Sequence, residues 1–356
     1  MDCSNRNLYD VPKDIPPNVT KIDISMNNLT AIHWNAFITA TQLKALALQN
    51  NIINSVSEDT FAFNKKIKLI DLSHNNLVEL PEKLVWNNEK LQLLDLLMNN
   101  LTSIHWNPFF TATELKTINL SHNKLVELPE KLVRNKEKLQ ALLLSNNDLE
   151  CLHEDVVYYT PTIKVLDLAN NKLVNLSETL FWKTSNMTTI QLSRNLIEEI
   201  PERMFVNLIN LKRMDMTRNK IHFLKPRTFS SLSKVNQITL GRNRISHIHI
   251  DTFSWNIMAT DIDISHNLIT EIQQGIFRNN KNLKDLDISY NGLKYLPKEL
   301  LSNCSGLRSL HLGNNLLSTI PTGFFRVTPK IKFLTMSNNN FQMLNKAYLH
   351  GLTSIH

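Results

Sequence analysis

A chain of 356 residues exceeds what one globular core usually sustains, so its length demands either several domains or a repeat array. Its apolar share of 42% is ordinary for a folded protein, and with only 7 glycines it has little room for irregular loops. The excess of 39 Lys and Arg over 32 Asp and Glu gives +7, which permits acidic partners such as glycosaminoglycans or nucleic acid without requiring one, and no apolar run approaches the roughly 20 residues of a membrane span.

The opening residues, Met1-Asp2-Cys3-Ser4-Asn5, lack the basic and apolar regions of a signal peptide. From residue 19 the pattern L-x-x-L-x-L-x-x-N takes over. It places an Asn at 27 and at every 24th position thereafter through 339, fourteen in all and without a slip. Ten residues beyond the Asn stands a large apolar residue: Phe37, Phe61, Phe109, Phe181, Phe205, Phe229, Phe253, Phe277 and Phe325, with Val or Leu in the remaining repeats. Each repeat therefore predicts one short strand and one apolar return segment. Alternation through L-x-L turns one side of every strand inward, and the Phe positions close the core from the opposite wall. No repeat buries these faces alone, so the expected fold is an α/β repeat solenoid, a horseshoe with a parallel sheet on its concave face and irregular or short helical convex segments. The Asn amide, donor and acceptor at once, is expected to satisfy backbone groups where the chain leaves each strand, so that Asn171→Leu destabilises.

Longer blocks also recur. Residues 99–118 nearly copy 27–46, and residues 118–144 nearly copy 70–96, at offsets of 72 and 48, both multiples of 24. Block duplication lengthens a surface more than it shapes a unique pocket.

The 24-residue form with L-P-x-x-x-F resembles the typical class of extracellular leucine-rich repeats found in Toll-like receptors, Slit, chaoptin and related adhesion proteins, and the resemblance covers essentially the whole chain. Cys3-Ser4-Asn5-Arg6-Asn7-Leu8, with Val11-Pro12 and Ile15-Pro16-Pro17-Asn18, resembles the end of that class's cysteine-rich N-terminal cap, in which the Cys pairs with one further upstream. The organisation so implied is a partial cap over 1–18, fourteen repeats over 19–354 and the start of another at 355–356. Repeats without caps expose a raw core edge, so a segment of a longer precursor is expected, and aggregation with it. The resemblance implies a non-catalytic ligand-recognition or adhesion ectodomain, extracellular or at the cell surface, binding protein or glycan; an innate-immune receptor segment is one member of that set. A secreted matrix protein similar to small leucine-rich proteoglycans is the alternative. Nucleic-acid sensors of this class often interrupt the array with long insertions; here the spacing is unbroken, which disfavours nucleic acid.

Seven N-x-S/T sequons, at Asn18, Asn28, Asn100, Asn119, Asn175, Asn186 and Asn303, support an extracellular location. Cys151 and Cys304 lie more than six repeats apart, too far to pair, and are expected as small apolar fillers. No catalytic motif, cofactor or metal set is expected. His74, His122 and His266 share one repeat position but stand at least two rungs apart, and no acidic or Cys partner completes a set with His247 and His249.

Binding candidates lie on outward strand positions. Leu69, Leu93, Leu97, Met98 and Leu143 are expected to cluster as an apolar group, either an interface or simply rung-to-rung packing, and a glycan on Asn119 would cover it. Arg194, Arg218 and Arg242 share one position in three successive repeats, supported by Arg213, Lys220 and Arg244; they read as an anion-binding strip or as solvated charge, with no aromatic visibly arranged beside them. Asp261, Asp263, Asp285 and Asp287 form an acidic group that would favour a cation or basic partner unless neighbouring Lys284 and Arg308 neutralise it.

Overall fold

The computed structural model describes residues 1–105, 108–158, 160–342 and 346–352, and it divides into two compact units, Met1–Leu173 and Val174–His356. In the first unit, β1 (Lys21–Asp23), β3 (Ala45–Ala47), β5 (Leu69–Asp71), β6 (Leu93–Asp95), β7 (Thr117–Asn119), β8 (Ala141–Leu143) and β9 (Val165–Asp167) pair in parallel and in chain order. A second parallel pair, β2 (Ala31–Ile32) with β4 (Ser55–Val56), lies on the return path, where α1 (Asp155–Tyr158) forms a single helical turn. The second unit stacks β10 (Thr189–Gln191), β11 (Arg213–Asp215), β12 (Gln237–Thr239), β13 (Asp261–Asp263), β14 (Asp285–Asp287), β15 (Ser309–His311) and β16 (Phe333–Thr335) in the same way. Each residue sits opposite the one 24 positions on, as with Ile22 and Leu46 or Asp263 and Asp287.

The register follows from burial. In nearly every strand the middle residue is buried and its neighbours face outward, so a one-residue slip would expose an entire row of Leu and Ile. The hydrogen-bond ladder continues past each strand, as from the Ile24 amide to the Ala47 carbonyl at 2.9 Å. Two residues later the chain enters the left-handed region at one position per repeat, with φ of 53° at His74, 57° at Arg218 and 53° at Tyr290.

The repeated Asn makes the ladder expected of it. Asn171 Nδ2 donates to the carbonyls of Leu144 at 3.0 Å and Leu168 at 3.1 Å, one in the preceding rung and one in its own, while its Oδ1 accepts the Leu149 amide at 3.0 Å. On the far wall the Phe rings stack: Phe37 on Phe61 at 6.3 Å in the first unit, and Phe181 through Phe277 at 5.9–6.3 Å in the second. Thirteen residues after the Asn lies a second position, buried from Ala40 through Thr328, that the apolar pattern by itself does not mark. There Asn64 donates to the Phe37 and Ala40 carbonyls and Asn256 to those of Phe229 and Leu232. Cys304 fills this position as an expected small filler; Cys151 does not fill the stack, because its repeat position faces solvent.

Lys136 occupies the same inner position and is completely buried, its Nζ donating to the Phe110 and Arg134 carbonyls at 3.2 Å each. Burial without a counter-charge pushes its amine down to about 8.

Candidate functional site

Outward strand residues make two columns on each sheet. In the first unit Leu69 on β5 lies directly opposite Leu93 on β6, so these two apolar side chains meet. Leu143 does not join them. It stands in the other column, on β8, between Asn119 on β7 and Asp167 on β9. Leu97 and Met98 follow β6, Leu97 with its amide held by Asp95 Oδ1 at 3.0 Å and Met98 exposed. The five residues expected as one group are thus divided by polar side chains. Asn119 is part of that division: its Nδ2 donates to Asp95 Oδ1 at 3.0 Å and its Oδ1 accepts the Ser121 amide at 3.2 Å. Asp95 carries a raised carboxyl pKa, chiefly from burial, with adjacent Asp71 adding repulsion.

In the second unit Asp261 lies opposite Asp285, and Asp263 opposite Asp287, so the acidic group is brought together. Two of the four carboxylates already have a structural task. Asp263 Oδ1 accepts the Ser265 amide at 2.8 Å, and Asp287 Oδ1 accepts both the Ser289 amide at 2.9 Å and its hydroxyl at 2.6 Å. The same bond recurs at Asp23, Asp71, Asp167 and Asp215, where the side chain caps the turn leaving the strand. Burial raises the Asp263 carboxyl pKa, and Asp287 adds to the shift. Gly241 makes room for Asp263: a Cβ there would lie 2.7 Å from its carboxylate oxygen. Among the described residues no group of three His, Cys, Asp or Glu side chains could hold a metal ion.

Arg194, Arg218 and Arg242 occupy the left-handed position in three successive turns, with φ of 56°, 57° and 58°, and all three are exposed. Their backbones follow the rungs, Arg194 donating to Thr217, Arg218 to Gly241 and Arg242 to Ser265. Among the described residues their guanidinium groups have no hydrogen-bond or ion-pair partner. Arg213 is also exposed but stands apart, on the sheet face, beside a shallow depression lined by Gln191, Asp215, Gln237 and Thr239. The arginine column does not end bare, contrary to the expectation that no aromatic accompanies it. Its next two members, His266 and Tyr290, stack with ring centroids 3.8 Å apart and planes 11° apart. The signal was legible in the 24-residue period, which puts both residues in the column of Arg242.

His247 and His249 line a groove with Phe223, Glu271 and Gln273. His249 pairs loosely with Asp251, at 3.8 Å, and Asp251 is held by Arg278 at 2.6 Å. Of the sequons, Asn18, Asn175, Asn186 and Asn303 are exposed, whereas Asn28, Asn100 and Asn119 are half-buried.

The repeat family described as Leucine rich repeat matches residues 17–77, 41–101, 89–149, 161–221, 209–254, 259–317 and 305–356. Osteomodulin of Rattus norvegicus is 37% identical over 65 residues, which are 18% of this chain and 15% of osteomodulin, so the match spans far less than two thirds of that relative. Among solved structures, a leucine-rich-repeat protein of Leptospira interrogans aligns with a TM-score of 0.84 at 24% identity, over 100% of this chain and 95% of that one. A chain of the Toll–Spatzle complex, a hub in Drosophila development and innate immunity, aligns with a TM-score of 0.83 at 23% identity, over 94% of this chain and 46% of that one. At these identities the two structures share the fold.

Proposed function

The chain belongs to the leucine-rich-repeat family, and on that footing we propose that it is a non-catalytic recognition scaffold, extracellular or at the cell surface, whose sheet face and strand-exit edge bind a protein or glycan. The observation that carries this reading is the contrast between the two sides of each strand. Inward positions repeat as Leu, Ile or Met from rung to rung, held constant by packing, while the outward position of the same strands runs through Lys21, Ala45, Leu69, Thr117, Arg213, Gln237 and Asp261. Packing does not dictate these outward residues, so they are free to suit a ligand. The fold shared with a chain of the Toll–Spatzle complex makes a protein ligand the first to try, and an innate-immune receptor role one form of the proposal. The stretch shared with osteomodulin favours the second reading, a secreted matrix protein similar to small leucine-rich proteoglycans.

A steric test separates the faces. Gln237→Asn completes an N-x-T sequon with Thr239 on the sheet face, and Trp182→Asn completes one with Thr184 on the far wall. Beads coated with secreted protein should lose binding to cultured cells when Gln237 is so replaced and keep it when Trp182 is. The reverse pattern would sink the sheet-face reading.

Native glycosylation gives a further expectation. Release of glycans in heavy-oxygen water, followed by mass spectrometry, should find Asn18 and Asn175 modified and Asn119 bare. A glycan on Asn119 would replace a hydrogen on its half-buried Nδ2, the atom that donates to Asp95 Oδ1, so high occupancy there would contradict the sheet-face packing described above.

A further inference from the structure

We propose that the strand-exit edge of the second unit is a binding site for a short sulfated or carboxylated oligosaccharide, with Arg194, Arg218 and Arg242 taking its anionic groups and the His266–Tyr290 pair its hydroxyls. The inference rests on the reading of the chain as a recognition scaffold and gives that reading a ligand class.

Three unpartnered guanidinium groups recur one rung apart, about 4.8 Å, which suits a linear chain of anionic groups laid along the stack. Lys220 and Arg244, one position beyond the repeated Asn, add cations beside the row. Local conformation does not call for arginine here. The left-handed backbone favours Asn, and Asn fills the same position at Asn50, Asn146, Asn170, Asn314 and Asn338. Three long cationic side chains in a row therefore require a reason other than the turn.

The aromatic pair decides between polyanions. His266 and Tyr290 stack across successive rungs, so their ring normals run along the stack and solvent meets ring edges and the Tyr290 hydroxyl. Such a surface donates and accepts hydrogen bonds, as sugar hydroxyls require. A nucleobase would need a ring face open to solvent; the stack takes one face of each ring and turns the other along the row, toward the positions of Arg242 and Asn314. Behind the row, the turn-capping carboxylates of Asp215, Asp263 and Asp287 repel an anion from the sheet itself, which confines the ligand to the edge.

His266 provides an internal reporter. Partial burial depresses its pKa first, Arg242 and Arg218 depress it further, and Asp287 and Asp263 pull the other way. An anion seated on Arg242 screens that repulsion, so the imidazole should titrate at higher pH when the site is filled.

The test uses the whole chain and a heparin octasaccharide, with a single-stranded oligothymidylate of matched charge as comparison. Arg194→Asn, Arg218→Asn and Arg242→Asn together remove charge with a residue the turn already accepts, and Lys65→Asn, Lys66→Asn and Lys68→Asn remove the same charge elsewhere. Expected are heparin binding in preference to the oligonucleotide, a loss of tenfold or more in the arginine triple with a salt slope reduced by about two to three, and little change in the lysine triple. Heparin should also raise the His266 pKa measured by NMR in the native chain and not in the arginine triple. Equal losses in both triples, tighter binding of the oligonucleotide through the same edge, or an unmoved His266 would each overturn the site. Cell binding that persists in the arginine triple and is lost with the glycan at position 237 would retain the scaffold reading while rejecting this ligand.

Discussion

Replacing Asn171 by Leu is expected to lower the stability of the first unit by about 1–3 kcal/mol, although the substitution adds apolar surface. The buried Leu149 amide takes its bond from this side chain, and Asn171 Nδ2 also donates to the Leu144 and Leu168 carbonyls, of which Leu144 keeps a second donor in Asn147 Nδ2 at 3.0 Å. A buried amide left unmatched costs on the order of 1–3 kcal/mol, and a leucine there does not restore its acceptor. Repeat arrays unfold by neighbouring rungs, so the early limb of a urea transition followed by circular dichroism is the sensitive measure. Asn76→Leu is the control: Asn76 is exposed, at a repeat position where Leu196, Leu268 and Leu316 occur naturally. Equal midpoints for Asn171→Leu and the control would show that the ladder contributes little.

Stability should rise by about 3 kcal/mol between pH 8 and pH 10.5 through Lys136 alone. The folded-state pKa of about 8 lies below the ordinary lysine value of 10.5. At pH 7 both states are protonated and the folded state carries the full cost of a buried ammonium. Above about 8 the folded state sheds the proton and the unfolded state keeps it, so the cost is relieved across that window and the gain levels off beyond it. Other groups titrate in alkali as well, so the informative quantity is the difference from Lys136→Leu. Leucine is accepted at this inner position, since Leu208 and Leu232 occupy it fully buried. The stability of the variant relative to the native chain should fall by about 3 kcal/mol between pH 7 and pH 10.5, measured by urea unfolding at a series of pH values. A difference that does not change with pH would mean that the amine reaches solvent.

The sequence by itself determined the scaffold: the 24-residue period, the strand positions, the parallel register, the Asn ladder and the inward Leu, Ile and Phe. Each of these is specified again in every rung, so noise in one repeat is corrected by the others, and a shift of one residue would expose a whole row. It also brought the three arginines into one column and the four aspartates onto adjacent strands, because the period alone fixes which residues are neighbours. Only the tertiary structure decided what those neighbours do. Leu143 is separated from Leu69 and Leu93 by Asn119, the carboxylates of Asp263 and Asp287 are engaged in capping turns, Cys151 reaches solvent, and Lys136 is enclosed. His266 closes on Tyr290 as one stack at the end of the arginine row. The reason is physical: a period in sequence fixes the position of each Cα to within a rung, whereas burial, hydrogen bonding and stacking depend on the backbone conformation at the strand exit and on which way each side chain turns from it.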